Sequence, residues 1–255
     1  MQQFAPYQAA LVLTQIFLLL ILIFRVWSAG LYKVYPCFSG YLLANLVQLI
    51  VLAFVPYRSR AYSYVWVGTE GLVLCFYALV VAELYQVILR ELPGIASVSR
   101  RYLRIAFVIA VLVSLLLLRL EETPRNIVST FLVIERAVSF AVVLVILLMA
   151  AFLVYYPVPL NRNVIVYFIG YAAYFLIKAT GLLVRTLGHY VLYQINIVLM
   201  VVFPCCLLFW ISGLNRRGEL RQVVVGHKWD LNEEEQILAK LKQINSTLLG
   251  ASKKY

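Results

Sequence analysis

Charged residues are scarce in this sequence. Only 13% of its 255 residues are charged, 64% are hydrophobic, and the mean hydropathy is +0.92. A soluble domain is about 45–50% apolar and about 25% charged. A chain with so few polar residues cannot cover a water-facing surface, which excludes a soluble enzyme, a disordered chain and a nucleic-acid-binding domain as its main body. The composition predicts a polytopic membrane protein whose surroundings are the lipid bilayer.

The residues that usually carry catalysis or bind metals are also few. No HExxH, GxSxG or Walker pattern occurs, and the only aspartate is Asp230. The two histidines, His189 and His227, lie at the edge of an apolar run and in the polar tail, which disfavours a haem held between helices. None of the four cysteines belongs to a CxxC pair. We therefore predict no enzymatic activity, no cofactor and no metal site.

Long apolar runs, in contrast, fill most of the chain. A helix needs about 20 residues to cross a bilayer core of about 30 Å. Seven runs meet or approach that length, and they are continuous rather than alternating, which favours helices over β-spans. The sequence predicts an all-α protein with seven transmembrane helices, at roughly 8–27, 38–57, 63–89, 102–120, 128–155, 164–187 and 189–213. Residues 1–213 form the predicted transmembrane domain and residues 214–255 a tail.

The basic residues near the ends of these runs predict the orientation. Lys and Arg are enriched in cytoplasmic loops. With the N-terminus outside, ten basic residues flank the spans on the inner side and five on the outer side. The inner ones are Arg25, Lys33, Arg90, Arg100, Arg101, Arg104, Arg162, Arg216, Arg217 and Arg221. We predict an outside N-terminus and a cytoplasmic C-terminus.

Four ionisable residues lie inside the predicted spans. Such groups are costly in a membrane and need partners or a wet cavity. Glu70 lies on the third span, Glu135 and Arg136 on the fifth and Lys178 on the sixth. Counted at 1.5 Å per residue, all four fall in the outer half of the membrane, where acids and bases can neutralise each other.

Neutral polar residues occur at the same level. On the sixth span, Tyr171, Tyr174 and Lys178 share one helical face, and Asn45 and Gln48 share one on the second. Gln15 on the first span and Gln194 on the seventh complete the candidates. One interpretation is an outward-facing polar pocket for a small ligand or ion. The other is an interhelical network that only fixes helix packing.

Glu83 lies late on the third span and does not share a face with Glu70. We predict that it lies near the cytoplasmic interface and pairs with Arg90 or with the Arg100–Arg101 cluster. A proton relay from Glu83 to Glu70 is the alternative interpretation.

The tail contains an amphipathic pattern. Asp230 to Glu233 resembles a helix-start signal, and apolar residues then recur on one face. We predict a helix over 231–249 that docks on the bundle, on a second copy or on a membrane-complex partner; the membrane surface is the less favoured alternative, because the polar face mixes acids with lysines.

Two segments resemble an uncharacterised bacterial family of seven-helix integral membrane proteins. They are the stretch 83–101, ELYQVILRELPGIASVSRR, and the stretch 226–245, which begins GHKW. The resemblance implies a bacterial inner membrane and carries no functional residue over.

Three functions fit these patterns. The first is a sensor or receptor-like bundle in which an outward-facing polar pocket is coupled to the cytoplasmic tail. The second is a structural or accessory subunit of a larger membrane complex. The third is a small ion or solute carrier, which the lack of an inverted repeat disfavours.

Overall fold

The protein is built from long helices. The computed structural model describes residues 6–56, 59–90, 127–155, 158–187 and 192–225, together with 239–240, 243 and 245–247. Within these residues lie six long helices: α1 (Pro6–Ser28), α2 (Pro36–Phe54), α3 (Arg60–Ile88), α4 (Ile127–Tyr155), α5 (Arg162–Leu187) and α6 (Leu192–Gly213). A short helix α7 (Arg216–Leu220) follows them, and strands β1 (Val158–Asn161) and β2 (Gln222–Val225) form one antiparallel pair.

Five of these helices are long and apolar enough to cross a membrane. Their candidate spans are Ala9–Ser28, Pro36–Phe54, Arg60–Ile88, Thr130–Tyr155 and Arg162–Leu182, and α6 contributes the shorter apolar helix Ile197–Gly213. The helical, membrane-type architecture predicted from the sequence is thus confirmed. The predicted span 102–120 lies outside the described residues, as does most of the predicted tail helix 231–249. The six positions of that segment that the structure describes are helical.

Local sequence signals explain where the helices begin. Gly30, in a left-handed conformation at φ 71°, ends the turn after α1, and Pro36 occupies the first turn of α2, where its missing N–H costs nothing. The side chain of Ser59 caps α3 by accepting a hydrogen bond from the Tyr62 amide at 3.1 Å. Asn215 caps α7 in the same way, accepting from the Gly218 amide at 2.6 Å.

Contacts between the helices establish their relative directions. The Gln15 amide donates to the Met200 carbonyl and the Arg25 Nε to the Leu214 carbonyl, so α1 and α6 are parallel. Trp66 packs on Phe131 near the starts of α3 and α4, so these two helices are also parallel. Helices α2 and α5 run the opposite way, since each pairs antiparallel with α3. We call the end of the bundle where α1, α3, α4 and α6 finish the inner end, and the opposite end the outer end.

Aromatic side chains fill the centre of the bundle. The largest fully buried side chains include Trp210, Tyr35, Tyr41, Tyr77, Tyr167, Tyr171, Phe38 and Phe175. Their rings contact one another mostly edge to face, at centroid separations such as 5.5 Å for Tyr35–Tyr167 and 4.8 Å for Tyr77–Phe175. Gly170 lets Trp210 approach the α5 backbone, because a Cβ there would overlap the indole nitrogen.

Candidate functional site

A lysine and two glutamates from three helices meet in the outer half of the bundle. The Lys178 Nζ on α5 lies 2.8 Å from Glu135 Oε1 on α4 and 3.5 Å from Glu70 Oε1 on α3. The three side chains are between 7% and 12% exposed. The ammonium and both carboxylates are therefore nearly removed from solvent and depend on one another for charge compensation.

Neutral side chains complete this group. The Lys178 ammonium donates to the Tyr77 hydroxyl at 2.8 Å, and that hydroxyl lies 3.3 Å from the Tyr174 hydroxyl. The Gln48 amide donates to Glu70 Oε2 at 2.7 Å. Together with Lys178, Glu135 and Glu70, these residues form what we call the lysine cluster. It joins α2, α3, α4 and α5, and its two carboxylates outnumber its single ammonium.

The remaining candidates at this level lie elsewhere. The amide of Asn45 donates back to the Tyr41 carbonyl of its own helix at 2.8 Å, and the amide of Gln15 donates to Met200.

Tyr171 is fully buried beside Trp210, with the two ring centroids 5.5 Å apart. Arg136 is half-buried on α4 next to Glu135, and the side chain of Gln194 lies outside the described residues. The lysine cluster thus contains five of the ten predicted candidates, together with Tyr77, which the sequence pattern did not single out.

Glu83 stabilises the start of another helix, whereas the sequence predicted a pairing with Arg90 or with the Arg100–Arg101 cluster. Its carboxylate accepts from the backbone amides of Cys37 at 2.6 Å and Phe38 at 3.2 Å, in the first turn of α2. It also accepts from the Tyr167 hydroxyl at 3.4 Å. Within the described chain, no ion pair joins Glu83 to Arg90, which is exposed; Arg100 and Arg101 lie outside the described residues.

The physical reason for this difference is that helix α2 begins without a capping side chain of its own. The amides in its first turn require an acceptor, and a carboxylate there also compensates the helix dipole. The sequence signal that could have revealed this role is Tyr35-Pro36-Cys37-Phe38, a helix start that has a proline but lacks Ser, Thr, Asp or Asn in the capping position.

A second polar group, which the sequence analysis missed, lies at the inner end. One oxygen of Glu219 on α7 accepts from the Tyr35 hydroxyl at 3.0 Å and from the Asn163 amide at 3.1 Å. The other oxygen accepts from the Asn161 amide at 3.0 Å. Asn163 is fully buried and also donates to the Asn215 carbonyl at 2.8 Å. We call Glu219, Tyr35, Asn161, Asn163 and Asn215 the tail cluster.

Electrostatics keep the tyrosine of the tail cluster protonated. Burial raises the pKa of Tyr35 above its ordinary value, and the negative charge of Glu219 and the hydrogen bond to it raise it further. The Tyr35 hydroxyl is therefore the donor, and Glu219 the acceptor, over the ordinary pH range. This assignment fits the acceptor-only chemistry of an ionised carboxylate.

The tail cluster fastens the start of the tail to the bundle. Strand β2 pairs with β1 from Asn161–Gln222 to Val158–Val225, and the Arg162 amide donates to the Arg221 carbonyl at 3.0 Å. Residues 214–225 therefore pack on the segment that connects α4 to α5. The sequence gives little sign of this, because Glu219 acquires its partners only through tertiary packing.

Among the described residues, no three His, Cys, Asp or Glu side chains are grouped so as to hold a metal ion. Comparisons of the chain with protein-family models, with curated proteins and with solved structures find no match.

Proposed function

We propose that this protein is a non-enzymatic, sensor-like bundle of seven spans in a bacterial inner membrane, with its N-terminus outside. The lysine cluster is the part that responds to a signal from the outer side, and the tail cluster is the part that passes the response to the cytoplasmic tail. The observation that carries the proposal is that one helix, α5, belongs to both clusters.

Helix α5 is well suited to couple the two clusters. Lys178 lies in its outer half, and Asn163, which holds Glu219 and Asn215, lies in its first turn. Fifteen residues of continuous helix separate them, about 22 Å at 1.5 Å per residue. A ligand or proton that favours a different arrangement of Lys178 and its two carboxylates would shift α5, and with it the contacts of the tail.

The helix directions support a seventh span. Helices α3 and α4 are parallel, so the chain leaves α3 at the inner end and enters α4 at the outer end. The 36 residues 91–126 connect these two ends and contain the apolar run 102–120. If that run crosses the membrane once, successive spans alternate in direction along the whole bundle, and we propose it as the fourth span.

A structural or accessory subunit is the second candidate function. It is favoured by the burial of the lysine cluster, whose charged members have partners and are at most 12% exposed. In that case the network would only fix the packing of α2, α3, α4 and α5. The tail helix 231–249 would then serve as the contact to a partner or a second copy. The carrier hypothesis gains no support from the described residues.

Hydrogen exchange can separate these functions. We would replace Lys178 by Met in the full chain and measure amide exchange in residues 158–163 and 213–225 in detergent. The sensor proposal expects faster exchange in these segments. The increase is roughly tenfold if the lysine cluster stabilises their exchange-protected conformation by about 1.4 kcal/mol. The matched control is Ile177→Met, because Ile177 is the preceding residue and is exposed on the outside of α5.

The contrary outcome is equally distinct. If Lys178→Met lowers thermal stability but leaves exchange at the inner end as slow as in Ile177→Met, the two clusters are uncoupled. The accessory-subunit interpretation then replaces the sensor.

A further inference from the structure

A cavity of about 550 Å³ lies at the inner end, apart from the lysine cluster. Its polar lining comes from the turn after α1, the end of α3, strand β1 and α7, through Lys33, Gln86, Arg90, Asn161 and Glu219. A volume of 300–1,000 Å³ is typical of sites for small molecules. The cavity is thus large enough for a ligand and draws its lining from segments far apart in the sequence.

The cavity wall carries two cations. Lys33 and Arg90 are exposed, and within the described chain neither has a carboxylate within ion-pair distance. Among the described residues of the wall, the carboxylate is that of Glu219, which directs its oxygens to hydrogen-bond donors of the tail cluster. The amides of Gln86 and Asn161 add neutral polar groups. This set of side chains favours an oxyanion, above all a phosphate, which Lys and Arg bind well.

The rest of the wall is aliphatic. Val87 on α3 and Val164 on α5 also line the cavity, as does Val34, which is adjacent to Lys33 in the sequence. The cavity borders the last turn of α3, which is where a membrane-spanning helix meets the headgroup region. A ligand that fits both parts of the wall has a phosphate group next to an apolar portion.

We infer that this cavity binds a phosphate ester, whose oxyanion is held by Lys33 and Arg90 while its apolar portion lies against Val87 and Val164. Such a group can come from an anionic phospholipid of the inner leaflet or from a soluble phosphate metabolite. Because Glu219 and Asn161 belong both to the cavity wall and to the tail cluster, occupancy affects the attachment of the tail. The inference does not depend on the lysine cluster and stands if the sensor proposal fails.

Thermal unfolding of the full chain in dodecyl maltoside tests the site. The probes are dioctanoyl phosphatidylglycerol, dioctanoyl phosphatidylcholine and glycerol phosphate, each titrated while the unfolding midpoint is followed. We expect the anionic lipid to raise the midpoint more than the zwitterionic lipid with the same tails. Arg90→Gln and Lys33→Gln each weaken the apparent affinity roughly fivefold, in line with the contribution of one basic residue near an anionic lipid. Arg60→Gln is the control, because Arg60 is an exposed arginine at the opposite end of the same helix.

A second pair of variants tests the cavity without changing its charge. Val34→Trp places an indole in the wall and is expected to abolish binding. Phe24→Trp adds an indole at a residue of α1 that is exposed and does not line the cavity, and it leaves binding unchanged.

The outcomes separate the possible sources of the ligand. Binding of phosphatidylglycerol without glycerol phosphate identifies a lipid headgroup, and equal effects of the two identify a soluble phosphate ester. Equal effects of the two lipids without an effect of glycerol phosphate, or equal losses in Arg90→Gln and Arg60→Gln, would overturn the inference.

Discussion

Lys178 shows at the scale of one residue how a charge is accommodated inside an apolar bundle. An ammonium has three donors, and those of Lys178 have three acceptors in Glu135, Glu70 and Tyr77. Its charge also lies 4.5 Å from the centre of the Tyr77 ring, within the range of a cation–π contact. These contacts offset the cost of removing the charge from water, and each acidic partner in turn depends on the lysine.

We predict that Lys178 and Glu135 are energetically coupled. Lys178→Met should lower the free energy of unfolding by about 3 kcal/mol, because it leaves two buried carboxylates without their cation. Glu135→Gln should cost less, since Glu70 still compensates the lysine. The double variant should be no worse than Lys178→Met alone. Thermal or denaturant unfolding in detergent measures all three, and simple addition of the two single effects would contradict the pairing.

Tyr171 presents the opposite situation. It is fully buried, and within the described part of the chain its hydroxyl has no hydrogen-bond partner. Removing a buried polar group that has no partner relieves its desolvation cost. Tyr171→Phe should therefore leave the free energy of unfolding unchanged or raise it by about 1 kcal/mol.

The control for this prediction is Tyr174→Phe on the same face of α5. The Tyr174 hydroxyl lies 3.3 Å from that of Tyr77, so its loss should lower stability by about 1 kcal/mol. Unfolding midpoints compare the two variants directly. A larger loss in Tyr171→Phe than in Tyr174→Phe would reveal a partner for the buried hydroxyl.

At the scale of elements, the sequence predicts faces better than contacts. The spacing of Tyr171, Tyr174 and Lys178 places them on one face of α5, and all three are buried there. The partners of Glu83 and Glu219 could not be predicted in this way. Glu83 accepts from backbone amides at the start of α2, and Glu219 accepts from Tyr35 and from two asparagines. These partners come from distant parts of the chain, and a periodic pattern within one element carries no information about them.

Helix α7 offers a prediction at the same scale. Gly218 packs so closely on Asn163 that a Cβ would overlap the Asn163 side-chain oxygen. Gly218→Ala should displace α7 and cost roughly 1–3 kcal/mol, as overpacking of a tight contact does. Faster amide exchange in residues 158–163 and 213–225 would report the displacement. Leu220→Ala is the control, because Leu220 is 85% exposed on the same helix, and equal exchange in both variants would show that the contact at Gly218 is unimportant.

At the scale of the whole molecule, the directions of the helices constrain how the chain crosses the membrane. Helices α1, α3, α4 and α6 run from the outer to the inner end, and α2 and α5 run back. The proposed fourth span, 102–120, would add the crossing that makes successive spans alternate in direction between α3 and α4. The positions of the basic residues predict a different property, namely which end faces the cytoplasm.

Reporter insertions test these two properties separately. We would insert alkaline phosphatase or a fluorescent protein in the full chain after residue 90 and after residue 125, and express each fusion in a bacterium. We expect a fluorescent but phosphatase-inactive fusion at 90 and a phosphatase-active fusion at 125, because the proposed arrangement separates the two sites by one crossing and places the inner end in the cytoplasm. If the fusion at 90 is phosphatase-active and the fusion at 125 is fluorescent, the orientation is the reverse of the proposed one and the number of spans is unchanged. The same activity at both sites would remove the crossing and, with it, the seven-span arrangement, since α3 and α4 would then be parallel with no return between them.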